Sequence, residues 1–326
     1  RLPAFFVMSG FFAALLLERR GAGGMLRNRW KRLMLPLIAG WFVLAPLLLL
    51  AIIFAWQRHP MFLEGGALHP AGGGAQASER DGILLHLWFL YDLFLICLAA
   101  AGIRHVLHHF APQVARVIRS IFRQTLNNGA VLFLFPMLTG LSLYPMDTGT
   151  FDTSAWLLPP FRILAAYGIF FSFGWLLYRE RSCLPLFTRN PWLRIVAGVI
   201  FFVPHEAGRA LFAAGSIPRG DAVHLMAIFA GAFACWLLVT GLLGLCLKHF
   251  RSPRPCIRYL TDASYFLYLA HLPLVVFFQG LLAPWAIPAI GKFCIVTILS
   301  TALLLVWYEL GVRDSRLSEA LNGQRY

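Results

Sequence analysis

Three groups of ionisable side chains sit inside otherwise apolar stretches of this sequence. His86 lies in His86-Leu87-Trp88-Phe89-Leu90, His205 and Glu206 precede Arg209, and Tyr268 and His271 follow Ser264. On insertion scales an ionisable group at the centre of a membrane helix costs roughly 2.5–3.5 kcal/mol, so each asks for a partner or a task. Imidazole exchanges protons near neutral pH, which makes His86 a candidate general acid/base. An interfacial position beside Trp88 is the competing explanation. Glu206 is a second candidate base, although Arg209, three residues on, can pair with it on one helix face. Ser264, Tyr268 and His271 are spaced four and three apart and share a face, either as a reactive stripe or as polar contacts between helices. Pro273 removes a backbone hydrogen bond just beyond His271 and is expected to kink that helix. Asp92 follows His86 by six residues, roughly 9 Å along a helix, too far for direct contact. His224 and Arg162 join His205 and Arg209 as groups that would line a hydrated cavity opening outward.

A fourth cluster is of another kind. Arg27, Arg29, Lys31 and Arg32 pack four cations into six residues between two long apolar runs. Orientation in a membrane explains the charge, but lysine would serve that purpose equally well. Arginine presents a planar fork that binds phosphate bidentately, and Arg29 and Arg32 lie one helical turn apart. They are candidate ligands for a phosphate-bearing molecule at the membrane surface.

The elements that carry these residues follow from hydropathy. The chain is 59% hydrophobic and only 13% charged, with a mean hydropathy of +0.71, more apolar surface than a soluble domain of 326 residues can bury. Several runs reach the roughly 20 residues that cross about 30 Å of hydrocarbon. An all-α, polytopic membrane bundle is expected, since helices satisfy their own backbone hydrogen bonds. Nine spans are read: 2–17, 33–56, 83–101, 129–144, 160–178, 192–214, 222–247, 260–280 and 286–312, the first and fourth being short. They form a single membrane domain over 1–326. The net charge of +14 does not indicate nucleic acid: most cations fall in every second loop and in the C-terminal tail, which predicts that those loops and the C-terminus are cytoplasmic. Six cysteines in spans or inner loops give no disulfide framework. Residues 57–82, rich in Gly and Ala, read as a flexible outer loop. Val114, Val117, Ile118, Ile121 and Phe122, interleaved with Arg116, Arg119 and Arg123, predict an interfacial amphipathic helix whose basic side faces anionic headgroups. Arg1 rather than Met opens the chain, and an outer start with nine spans implies one missing upstream span, ten in all.

Four motifs occur in a specific order: Arg1-Leu2-Pro3-Ala4-Phe5-Phe6-Val7-Met8-Ser9-Gly10; Arg29-x-x-Arg32-x-x-x-Pro36; His86-Leu87-Trp88-Phe89-Leu90; and Ala263-Ser264-Tyr265 with Tyr268-Leu269-Ala270-His271-x-Pro273. In this the chain resembles the acyltransferase-3 superfamily of bacterial membrane O-acyltransferases, most closely the glucans biosynthesis protein C branch, which succinylates periplasmic glucans. The likeness runs from Arg1 to about Glu309. It implies an inner-membrane, multi-pass enzyme that takes an acyl group from cytoplasmic acyl-CoA, succinyl-CoA or acetyl-CoA, and passes it to a glucan hydroxyl outside. Acyl-CoA is then a co-substrate; no bound cofactor, metal or nucleic acid is expected, and membrane lipid surrounds the chain. Donor binding falls to Arg29 and Arg32, and acid/base work to His86 and Glu206. Arg1, Trp88, His205, Arg209, Tyr268 and His271 are the substrate-pocket candidates. The family's principal catalytic His belongs to a first span that precedes Arg1. A transporter or exporter of a glycan or small anion is the rival reading, with the buried His, Glu and Arg as its path; a structural membrane subunit is a third.

Overall fold

A computed structural model describes residues 2–58, 83–146, 149–154, 156–250, 252, 254–315 and 318. Arg1, Asp147, Arg251, Arg316, Arg325 and nearly all of the 57–82 loop lie outside the described residues. Every regular element among the described residues is helical. In order these are α1 (Leu2–Arg29), a π-helical turn (Trp30–Met34), α2 (Leu35–Arg58), a 3₁₀ turn (Leu85–Leu87), α3 (Trp88–Phe110), α4 (Pro112–Asn127) and α5 (Val131–Leu143). Then come α6 (Phe161–Arg179), a 3₁₀ segment (Arg181–Thr188), α7 (Pro191–Ala213), α8 (Ala222–His249), α9 (Pro255–Leu282), α10 (Ala289–Trp307) and a second π turn (Tyr308–Val312).

Seven helical runs are long and apolar enough to cross a membrane, eight if α4 and α5, which meet at 117°, count as one broken span. The chain is therefore an all-α polytopic membrane protein. The first run, Leu2–Arg58, is 57 residues long. At 1.5 Å per residue an unbroken helix of that length would measure roughly 85 Å, so the run holds more than one span. It contains the first two expected spans, and the break between them is Gly21, whose φ of 70° and ψ of 176° belong to a region open only to glycine. One expectation is corrected. The span read over 129–144 is a helix of 13 residues, roughly 20 Å long and too short to cross alone. It follows the expected amphipathic helix, now α4, at a sharp bend.

Two compact units emerge. The first comprises Arg1–Arg27, Asp92–Ser154 and Leu158–Ser252. Its core is aromatic: the Trp236 ring stacks on Phe170 at 4.4 Å and meets Phe135 and Phe173 at 5.1 and 5.0 Å. The buried indole N–H needs an acceptor in this dry interior, and it donates to Thr139 Oγ1 at 2.8 Å. Helices α1 and α6 cross at two glycines. A Cβ on Gly10 would strike the Phe171 carbonyl, and one on Gly174 would strike the Val7 carbonyl. Lipid tails are as apolar as leucine, so close backbone approach at small residues, rather than hydrophobicity, holds such helices together. At one end of this unit, Glu18 lies between Arg179 and Arg181, while buried Glu180 takes Arg119 and Arg123.

The second unit comprises Asn28–Tyr91, Ala155–Leu157 and Pro253–Tyr326. Here α2 and α9 pack through Leu48, Ala51, Ala55 and Val276, with Phe54 stacked on Phe277 at 4.8 Å. Residues near the junction of α10 and its π turn lean on the first half of α9 through Phe266–Trp307 and Tyr259–Tyr308 ring pairs at 5.6 and 5.7 Å.

The glycine crossing yields a stability test. Gly174→Leu places a side chain where the α1 backbone runs, an overpacking cost of about 1–3 kcal/mol or more. The variant is expected to lose its monodisperse peak in detergent and to melt well below wild type, whereas Gly102→Leu, where nothing lies within 4 Å of an added Cβ, stays near wild type.

Candidate functional site

In the second unit lie six of the residues that the sequence singles out: Arg29, Arg32, His86, Trp88, Tyr268 and His271. His86 lies on the short turn before α3, which is unusual in its backbone: Leu85 adopts φ of 51°, left-handed and costly for a leucine. Two contacts from α9 hold this turn. The Tyr268 hydroxyl donates to the His86 carbonyl at 2.8 Å, and His86 Nε2 lies 2.9 Å from the Leu269 carbonyl. A carbonyl only accepts, so Nε2 carries the hydrogen, and in the neutral ring Nδ1 keeps the lone pair. Nδ1 is buried and has no hydrogen-bond partner among the described residues. The His271 ring meets that of His86 edge-on at 5.5 Å, and its own Nδ1 lies 2.7 Å from the Tyr268 carbonyl. By the same logic His271 presents Nε2 as its acceptor nitrogen. Two oriented imidazoles thus share one locality, each with its tautomer set by a backbone carbonyl.

Three members of the arginine cluster, Arg29, Lys31 and Arg32, belong to the same unit. Arg29 and Arg32 are half-buried, while Arg27 and Lys31 are exposed. The chain from Trp30 to Met34 is wound as a π turn, with the Leu35 N–H bonding to Trp30 rather than one residue later. Such turns are rare and concentrate at functional positions. The Tyr265 hydroxyl of α9 donates to the Arg32 carbonyl in this widened turn. Tyr265 and His271 are six residues apart, roughly 9 Å along the helix. The cation cluster and the imidazole pair are therefore tethered to neighbouring turns of one helix, not to opposite ends of a span. Tyr265 was not among the candidates; it was visible in the sequence only as part of the motif containing Ser264. Ser264 itself is exposed and bonds to Thr261 of its own helix at 2.6 Å, so the stripe holds Tyr268 and His271 without it. Trp88 is half-buried at the start of α3, two residues past His86.

Beside this site lies an apolar groove of about 430 Å³. Leu44, Leu47 and Phe54 of α2 face Pro273 and Phe277 of α9 across it, with Trp307 at one side. Pro273 is accommodated within α9, two residues past His271.

The remaining candidates lie elsewhere. His205, Glu206 and Arg209 belong to α7 in the first unit. Arg209 donates twice to Glu206 Oε2, at 3.0 and 2.6 Å, and both side chains are substantially exposed. His205 Nδ1 lies 2.8 Å from the Ala227 carbonyl, its ring seated over Gly231 of α8. His224 is buried and stacks on Phe212 at 4.1 Å. Asp92 is fully buried in the first unit, and neither carboxyl oxygen has a hydrogen-bond partner among the described residues. Arg1 lies outside the described residues.

Diethylpyrocarbonate footprinting tests the tether on His86. Loss of a buried hydrogen bond of this kind costs about 1 kcal/mol or more, so Tyr268→Phe should free the turn and speed His86 modification about fivefold. An unchanged rate would show that the turn holds itself.

The acyltransferase domain family, of the acyltransferase-3 type, matches residues 1–309, nearly the whole chain and both units. No curated protein and no solved structure gives a match of comparable significance. The matched stretch contains the π turn at Arg29–Arg32, the strained turn at His86 and the Tyr265–Pro273 segment of α9. On that match, covering the tethered arginines and the imidazole pair alike, the chain belongs to the acyltransferase-3 family of membrane acyltransferases.

Proposed function

We propose that this chain moves an acyl group from acyl-CoA to the hydroxyl of an extracytoplasmic glycan, with His86 as a general base. The observation that carries this reading is the hydrogen bond between His86 Nε2 and the Leu269 carbonyl, which leaves Nδ1 as a proton acceptor on a fixed ring. Positioned imidazole of this kind contributes about 10²–10⁴-fold to acyl transfer. The donor's phosphates bind Arg29 and Arg32 at the π turn, in the bidentate manner arginine favours. Its thioester extends along α9 toward the imidazoles, and the neighbouring groove receives the apolar part of the arm. The acceptor hydroxyl gives its proton to His86, its oxygen bonds to the acyl carbon, and the carbon–sulfur bond breaks. The departing thiolate takes back the proton that His86 Nδ1 accepted, which returns the imidazole to its neutral form.

The acceptor is a periplasmic glucan and the acyl group succinyl, on the branch that the motifs most resemble; acetyl is the competing group. Alternation of the cations supports an inner-membrane, multi-pass orientation with the arginine cluster and the C-terminus cytoplasmic.

Full-length protein in liposomes, supplied with acyl-CoA and a soluble glucan, tests the proposal. Arg29→Ala with Arg32→Ala should raise KM for acyl-CoA at least tenfold, given about 1.5–3 kcal/mol for each charged hydrogen bond. His86→Ala should lower kcat about 10²-fold or more with KM little changed. Solute movement without ester formation would favour transport, and normal turnover in His86→Ala would remove His86 from the chemistry. Mass spectrometry of the product identifies the acyl group.

A further inference from the structure

Helix α4 shows three distinct faces. Phe122 and Leu126 are buried, Phe122 meeting Phe135 and Phe173 at 5.9 and 5.7 Å. On this edge Arg119 reaches Glu180 and donates to the Arg179 carbonyl at 3.1 Å. A second face is apolar yet uncovered: Val114, Val117, Ile118 and Ile121 are 48%, 55%, 40% and 51% exposed. The third is polar and ends in a shallow, open depression of about 460 Å³ lined by Ser120, Arg123, Gln124, Asn127 and Asn128.

The chemistry of that depression is one-sided. No carboxylate lines it. The side-chain carbonyl of Asn128 accepts from the Ala130 N–H at 3.0 Å, and that of Asn127 lies 3.8 Å from the Cys183 thiol. Each amide also has an NH₂ group able to donate. Arg123 keeps its guanidinium largely exposed, with Glu180 3.7 Å from its Nε. Arg119 is the closer partner of that carboxylate. A guanidinium, amide donors and the Ser120 hydroxyl make a site for an anion with several oxygens. The adjoining stripe needs hydrocarbon, and one ligand supplies both.

We propose that α4 binds an anionic phospholipid, its headgroup phosphate in the depression at Ser120, Arg123, Gln124, Asn127 and Asn128 and its acyl chains along Val117 and Ile121. The site is separate from the arginine cluster at Arg29–Arg32 and stands whether or not the acyl-transfer reading holds. It also refines the expected division of the helix: Arg119 belongs to the protein's own ion pairs, and the lipid contact falls to the polar edge beyond it.

Native mass spectrometry of the full-length protein in a neutral detergent tests this, with phosphatidylglycerol, phosphatidylcholine and inorganic phosphate titrated separately. Wild type should retain phosphatidylglycerol about fivefold or more over phosphatidylcholine, the preference expected from one basic contact. Gln124→Glu, which leaves Arg119, Arg123 and Glu180 in place, should abolish that preference without shifting the lipid-free melting temperature. Val117→Asn with Ile121→Asn should weaken retention of both lipids. Equal retention of the two lipids by wild type would overturn the proposal, as would a preference that survives Gln124→Glu. Inorganic phosphate bound as tightly as phosphatidylglycerol would also overturn it, by showing a free-anion site.

Discussion

Irregular backbone is expensive inside a membrane because no water is present to bond the carbonyls it frees. Helix α9 answers two such irregularities in the second unit, the π turn at Trp30–Met34 and the strained turn before Trp88, each with a tyrosine. Tyr265 donates to the Arg32 carbonyl and Tyr268 to the His86 carbonyl. The two hydroxyls therefore act as anchors at a fixed interval, one turn apart on one helix. Everything proposed for the site depends on that interval, since it brings the arginine cluster and an imidazole pair onto neighbouring turns.

The same helix sets proton positions as well as backbone positions. The Leu269 carbonyl faces His86 Nε2 and the Tyr268 carbonyl faces His271 Nδ1. Each carbonyl fixes one tautomer and so decides which nitrogen is basic. A histidine held this way is preorganised: neither ring must turn before it can accept a proton. Such fixed geometry is what positioned general bases contribute.

The first unit is built on a different logic. Its aromatic core around Trp236 is dry and buries one satisfied N–H, while its helices meet at Gly10 and Gly174, where backbone touches backbone. Its carboxylates are mostly paired: Glu18 and Glu180 each take two arginines, and Glu206 takes Arg209. Asp92 departs from that economy as a fully buried carboxyl without a hydrogen-bond partner among the described residues.

Much of this was determined by the sequence alone. Apolar runs of span length dictate a helical membrane protein, because only helices or closed barrels satisfy the backbone in hydrocarbon, and the order of four motifs pointed to the family. The basic, amphipathic character of α4 was equally plain from the spacing of Val114, Val117, Ile118 and Ile121. Local pattern reports which face of one helix is apolar, but it is silent about contacts between segments distant along the chain. Nothing in the spacing of Arg29 and Arg32 announces a π turn, and nothing around Tyr265 says that its hydroxyl ends on a carbonyl 233 residues away. Composition likewise could not tell that Arg119 turns inward to Glu180 while Arg123 borders an open depression. Side-chain hydrogen bonds to backbone carbonyls follow from how helices are placed against one another, so only the tertiary structure decided which histidine nitrogen is basic and that the turn carrying Arg32 is tethered to the same helix.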